Sequence, residues 1–298
     1  MGQPENARKT AEPEAKNPFA GLALKIGVYL FLAYFAMLAF AWMLMPMGGY
    51  FASATLSSFG AAAISNAITL RVWERGRLGD IGMNWCRASR RNLSIGFAAG
   101  VAAACAVTVI PLLCGLATLK PDPGNPLNWG SLVFVSIMLL FGAVGEELLF
   151  HGYAFQTLLK SFGIFSALLP ISALFAAAHS GNMNVSALSL ANTFLWGLLL
   201  GFAFIRAGDL WLPIGIHFGW NWTLPIFGVN LSGFTMGTTG YRLEWRISDL
   251  WSGGEYGPEA GLLSLIVVPV LAFALWRAPV QTQRPFLLRT PEDESPLS

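Results

Sequence analysis

Glu146 and Glu147 are adjacent carboxylates inside a long apolar run, Trp129 to Leu159, which has no other acidic or basic residue and a single histidine, His151. At membrane depth a carboxylate costs about 2.5–3.5 kcal/mol on insertion scales, and a group kept there at that cost points to function. The chain has only three histidines, His151, His179 and His217, and each falls in a different low-charge segment. Helical spacing makes local pairs. Glu147 with His151, Phe175 with His179, and His217 with Asn221 are each four residues apart and share a helix face. Glu146 and Glu147 point about 100° apart around a helix. One therefore faces a cleft while the other organises neighbouring groups.

These parts suit hydrolysis of a peptide bond in or near the bilayer. A carboxylate in a dry pocket gains basicity and can take a proton from water. An imidazole can hold that water, and a His/Asn pair can donate hydrogen bonds to a developing oxyanion. Glu146, His179, His217 and Asn221 supply these roles, with Glu147 and His151 in support. A second version places zinc on Glu146, His179 and His217, since two imidazoles and a carboxylate form a common catalytic set. The His-Glu-x-x-His spacing is absent, so the spacing leaves both versions open, with no cofactor or with zinc. Taken singly, each histidine also fits a plain interhelical hydrogen bond of about 0.6–2 kcal/mol. Their joint placement with the two carboxylates favours a shared site.

The elements that must position these residues are membrane helices. Of 298 residues, 55% are hydrophobic and 11% charged, against roughly 25% charged in soluble domains. Mean hydropathy is +0.57. The net charge of +2 gives no reason to expect a nucleic-acid partner; the expected partners are the lipid bilayer and a peptide or protein substrate within it. Cys86, Cys105 and Cys114 make neither a disulfide framework nor a zinc pattern. No cleaved signal peptide is expected, because the first apolar run is longer than the roughly 7–15 residues of such a segment.

Runs of about 20 apolar residues give an all-α polytopic protein of about eight transmembrane helices. They fall near 26–45, 50–70, 93–119, 129–159, 164–179, 185–205, 210–227 and 260–276. Met45-Pro46-Met47-Gly48-Gly49-Tyr50 divides the first two. Pro213 and Gly215 predict local unwinding near the start of the seventh. Gly96 with Gly100, and Gly197 with Gly201, predict close helix approach. The Arg-rich stretch 71–91 belongs on the cytoplasmic side, which places both termini there. The division is a polar tail over 1–24, a three-helix region over 25–128, a core over 129–228, a loop and last helix over 229–277, and a polar tail over 278–298. Counted from these boundaries, His179 lies near the outer end of its helix and His217 near the inner end of its own. Sharing a cleft then demands tilted, broken or shifted helices.

Glu146-Glu147-Leu148-Leu149-Phe150-His151, Phe175 to His179 and His217 to Asn221 resemble, in order, the three motifs of the CPBP intramembrane proteases. That family includes the CAAX prenyl endopeptidases of the second type and lysostaphin-resistance-like proteins. The resemblance spans roughly Trp129 to Phe227. It implies an endopeptidase in which Glu146 activates water, His179 helps hold it, His217 and Asn221 stabilise the oxyanion, and Glu147 supports them. It also implies membrane-associated substrates, of CAAX or leader-peptide type. The family is often described as metalloproteases, though a metal-free mechanism is well supported. His151 stands where the family usually has arginine, so its pairing with Glu147 depends on pH. A non-catalytic scaffold or immunity-type protein retaining the fold is the alternative; a proton-coupled carboxylate relay would call for an inverted repeat, and none is evident. With no long soluble domain, the expected location is a bacterial plasma membrane.

Overall fold

Nearly unbroken apolar sequence sets the first element, α1 (Pro18–Thr69). The computed structural model describes residues 18–289; residues 1–17 and 290–298, which hold most of the two expected polar tails, lie outside the described residues. The helix begins at Pro18, inside the stretch expected as tail, because proline at a first turn lacks only an N–H that would be unsatisfied anyway. It folds back at Gly49, whose φ of 68° and ψ of −176° are closed to other residues. The two arms correspond to the first two expected spans.

The chain continues through α2 (Arg87–Leu113), β1 (Ala117–Pro121), α3 (Trp129–His151), α4 (Tyr153–Phe162), α5 (Ile164–Ala178), α6 (Ala187–Ala207), α7 (Trp211–Ile226), β2 (Tyr241–Trp245), α8 (Asp249–Ser252) and α9 (Leu262–Arg277). It is an all-α polytopic membrane protein. Among the described residues, four helices are long and apolar enough to cross a membrane: Phe19–Pro46, Arg87–Leu113, Trp129–Phe162 and Ala187–Ala207. The helices α5, α7 and α9 have 15, 16 and 16 residues. At 1.5 Å per residue they reach about 22–24 Å, short of a hydrocarbon core of about 30 Å. The end of the expected third span is instead strand. Gly115, at φ 73°, stops the chain after α2, and β1 pairs antiparallel with β2, Ala117 opposite Trp245.

This ladder marks one end of the bundle. The Arg-rich connection between α1 and α2 and the α6–α7 turn mark the other, here the arginine end. Two glycine pairs bring α2 and α7 into backbone contact. A Cβ on Gly96 or Gly100 would strike the Leu212 or Ile216 carbonyl, and one on Gly215 or Gly219 would strike the Leu93 or Phe97 carbonyl. The sequence pattern at Gly96 and Gly100 therefore has a reciprocal partner. It also corrects the expectation of unwinding near Pro213 and Gly215: α7 is continuous from Trp211, and Gly215 serves close approach rather than a break.

Helix α7 is set at the arginine end by Asp209. Its Oδ1 accepts from the backbone N–H of Trp211 and Leu212, each at 3.1 Å, a side-chain cap from two residues before the helix begins. Its Oδ2 accepts from Asn92 Nδ2 at 2.8 Å and from Gln283 Nε2. Asn92 also bonds both backbone groups of Gln281. The C-terminal segment is thereby tied to α2 and α7. Asp209 is 1% exposed. Burial pushes its carboxyl up to about 6, against the opposing pull of its donors.

Candidate active site

Helix α3 brings the two glutamates to the site, and α1 fixes its rotation. A Cβ on Gly145 would meet the backbone of Phe59. Helix α3 ends at Gly152, and the carbonyls freed by that break are satisfied from α1. Asn66 Nδ2 donates to Leu148 O at 2.9 Å, Tyr29 OH donates to Leu149 O at 2.7 Å, and Tyr153 N donates to Asn66 Oδ1 at 2.8 Å. A broken helix is tolerated at membrane depth only where protein groups replace its lost bonds. No motif marked Tyr29 or Asn66, which reach α3 from far along the chain.

Glu147 turns inward and is 0% exposed. It accepts from His151 Nδ1 at 2.8 Å and from His217 Nδ1 at 2.9 Å. A carboxylate only accepts, so both Nδ1 atoms carry hydrogen. The Nε2 of a neutral His217 is then left as an acceptor, pointing toward Glu146. His151 is fully enclosed, and its Nε2 lies against Gly201, where a Cβ would sit 3.3 Å away.

Glu146 faces the cavity on the other side of the His217 ring. His179 Nε2 and His217 Nε2 each lie 3.8 Å from the same oxygen, Glu146 Oε2. That is beyond a direct hydrogen bond and is the separation at which a water belongs between polar groups. Glu146 Oε2 is buried with no hydrogen-bond partner among the described residues. The two imidazoles differ behind their Nε2 atoms. His179 Nδ1–H donates to Phe175 O at 2.8 Å, whereas His217 Nδ1–H donates to a carboxylate.

Helix lengths resolve the depth conflict. Short α5 ends at Ala178, with His179 as its cap residue. Helix α7 starts among fully buried residues, Leu210 and Leu212. His179 and His217 meet at Glu146 Oε2 although each lies toward one end of its helix. Both open on a cavity of about 890 Å³, which Glu146 and Asn221 also line. Its far wall is apolar, built from Leu38, Trp42 and Met45 on the first arm of α1 and from Phe234 of the segment before β2.

Residues 128–223 match the family model described as type II CAAX prenyl endopeptidase Rce1-like. The match over this segment supports a CPBP-family intramembrane protease. No curated protein matches the chain. The matched CPBP segment runs from the start of α3 into α7, and so contains all six residues singled out in the sequence.

Those six side chains fall into two groups: Glu147 with His151 and His217, and Glu146 with His179 and His217, with Asn221 on the same cavity. In the possible zinc set, His179 Nε2 and His217 Nε2 each stand 3.8 Å from Glu146 Oε2. Among the described residues no three His, Cys, Asp or Glu side chains are disposed to enclose a metal ion. Two cavity residues outside the motifs, Trp220 and Glu259, were missed by sequence reasoning. Trp220 lies three positions after His217 and was readable from helical spacing. Glu259 comes from the segment between β2 and α9, where nothing in the sequence set it apart from other loop charges.

Proposed function

We propose that the CPBP segment hydrolyses peptide bonds of membrane-associated substrates with a water activated by Glu146. The observation that carries this is the buried, unpartnered Glu146 Oε2 facing two imidazole Nε2 atoms on the wall of a large, mostly apolar cavity. His179 donates its Nδ1–H to a carbonyl, so its Nε2 accepts a hydrogen from the water and aims an oxygen lone pair at the substrate. Glu146 takes the second proton as the water oxygen bonds to the carbonyl carbon. The carbonyl π electrons move to oxygen. The Asn221 amide donates to that oxygen, and so does His217 when its Nε2 is protonated, with Glu147 supplying the counter-charge. Collapse of the intermediate breaks the C–N bond, and the amine leaves with the proton from Glu146. The products are a carboxylic acid and an amine, and the acid's remaining proton passes to the amine as they part, leaving a carboxylate and an ammonium. The apolar wall suits substrates that carry a lipid or a membrane helix, of CAAX or leader-peptide type.

The test is digestion of a panel of prenylated and membrane-helix peptides by the detergent-purified protein, with and without a chelator, read by mass spectrometry. The proposal predicts a new amine and carboxylate terminus at one bond, lost in Glu146→Ala and retained with chelator. Loss on chelation with recovery on added zinc supports a metal instead.

A further inference from the structure

Among the described residues, Glu259 is the one carboxylate besides Glu146 on the cavity wall, and no lysine or arginine lines that cavity. It lies in a short turn between α8 and α9. Its Oε1 accepts from Trp220 Nε1 at 3.1 Å. Its Oε2 accepts from Ser232 N at 2.7 Å and from Ser232 Oγ at 2.6 Å. All three donors are neutral. They fix the orientation of the carboxylate but bring no positive charge, and a carboxylate has about four acceptor positions. A negative group on a mostly apolar wall, hydrogen-bonded only to neutral donors and with the His217 imidazole as its nearest cationic neighbour when protonated, can receive an ammonium from a ligand.

Its place relative to the reacting bond follows from α7. Trp220 is three residues beyond His217, about 4.5 Å further along the helix toward the ladder end. An extended peptide advances about 3.3 Å per residue. A chain with its scissile carbonyl at Glu146 therefore brings a residue one or two positions away to Glu259.

We propose that Glu259 is a specificity-determining residue that binds an alkylammonium group of the substrate, a lysine side chain near the scissile bond. The proposal rests on the hydrolase reading for its register, but not for the binding itself. A carboxylate placed only to tie Ser232 to Trp220 would show no charge preference.

The test uses the full chain in detergent. Fluorescent membrane-helix peptides carry either lysine or norleucine, scanned through the positions flanking one central bond. An N-acetylated set separates the side-chain amine from the α-amine. Binding is measured on the Glu146→Gln background and turnover on the wild type. A lysine-to-norleucine affinity ratio of roughly ten-fold or more is expected at one or two adjacent positions, the scale of a charge-assisted hydrogen bond. The ratio falls toward one in Glu259→Gln, and Glu259→Lys turns the preference toward a glutamate peptide. That reversal is a gain which misfolding cannot produce. Equal binding of lysine and norleucine peptides, binding of neither, or a ratio indifferent to Glu259→Gln overturns the proposal. Binding that keeps its ratio while the wild type cleaves nothing leaves Glu259 standing and overturns the hydrolase reading.

Discussion

His151 and His217 both donate their Nδ1–H to Glu147, and that buried carboxylate has no other hydrogen-bond donor among the described residues. Removing one partner of a buried charge leaves the other uncompensated, which costs about 3–5 kcal/mol. His151→Ala should therefore lower the unfolding midpoint in detergent and also slow turnover, because Glu147 then holds His217 less firmly. A midpoint equal to that of the wild type would contradict this. Restoring the family's arginine is not expected to rescue. The ring is fully enclosed and its Nε2 abuts Gly201, so the longer guanidinium has no room. His151→Arg should express poorly or unfold early; a stable and faster enzyme would show that the pocket opens. At this scale the sequence was informative for residue types and poor for roles. Spacing placed His151 beside Glu147, but His217 on Glu147 is a contact across 70 positions that no local pattern encodes.

Among the helices, α7 carries the most. It holds His217, Trp220 and Asn221, and its position depends on glycines and on Asp209 rather than on anything at the site. Gly215→Ala puts a methyl group into the Leu93 carbonyl. Overpacking of this kind costs about 1–3 kcal/mol, and the helix shift should reduce kcat even though the substitution lies outside the cavity. Kinetics on the variant check this, and an unchanged kcat would contradict it. The cap supplies a pH dependence. The Asp209 carboxyl is raised from 3.8 to about 6 by burial, so the folded chain holds a proton there that the unfolded chain has already lost. Stability from this group is full below pH 4, falls as pH rises toward 6, and levels off above it. The change amounts to at most about 3 kcal/mol. Asp209→Asn should flatten that slope between pH 4 and 7 in detergent melts; an identical slope would exclude Asp209 as its source. Apolar runs made the helices legible, and small-residue spacing revealed half of the α2–α7 contact. The other half was obscured because Pro213 beside Gly215 also fits a break, and only the neighbouring backbone decides between the two.

For the molecule as a whole, the charge pattern and the architecture agree on two distinct ends. Cys86 lies at the arginine end and Cys114 at the ladder end, and both are exposed. If the Arg-rich connection is cytoplasmic, a membrane-impermeant maleimide added to intact cells should label Cys114 and spare Cys86, reversing in inside-out vesicles. Labelling of Cys86 from outside would invert the topology. The helical membrane class could be read from composition alone. The cavity could not, because its walls come from α1, α3, α5, α6, α7 and the segments around β2, which only tertiary packing brings together. Its apolar lining and its two carboxylates suit the substrate proposed above, a membrane-bound peptide whose scissile bond meets Glu146.

The most direct measurement is therefore single-turnover cleavage of one such peptide by wild type and by Glu146→Gln, which keeps shape and hydrogen bonding but cannot take a proton. A water activated at Glu146 predicts a loss of about 10²–10⁴-fold in the cleavage rate with peptide affinity retained. A variant that cleaves within a few-fold of wild type would contradict the account at its centre.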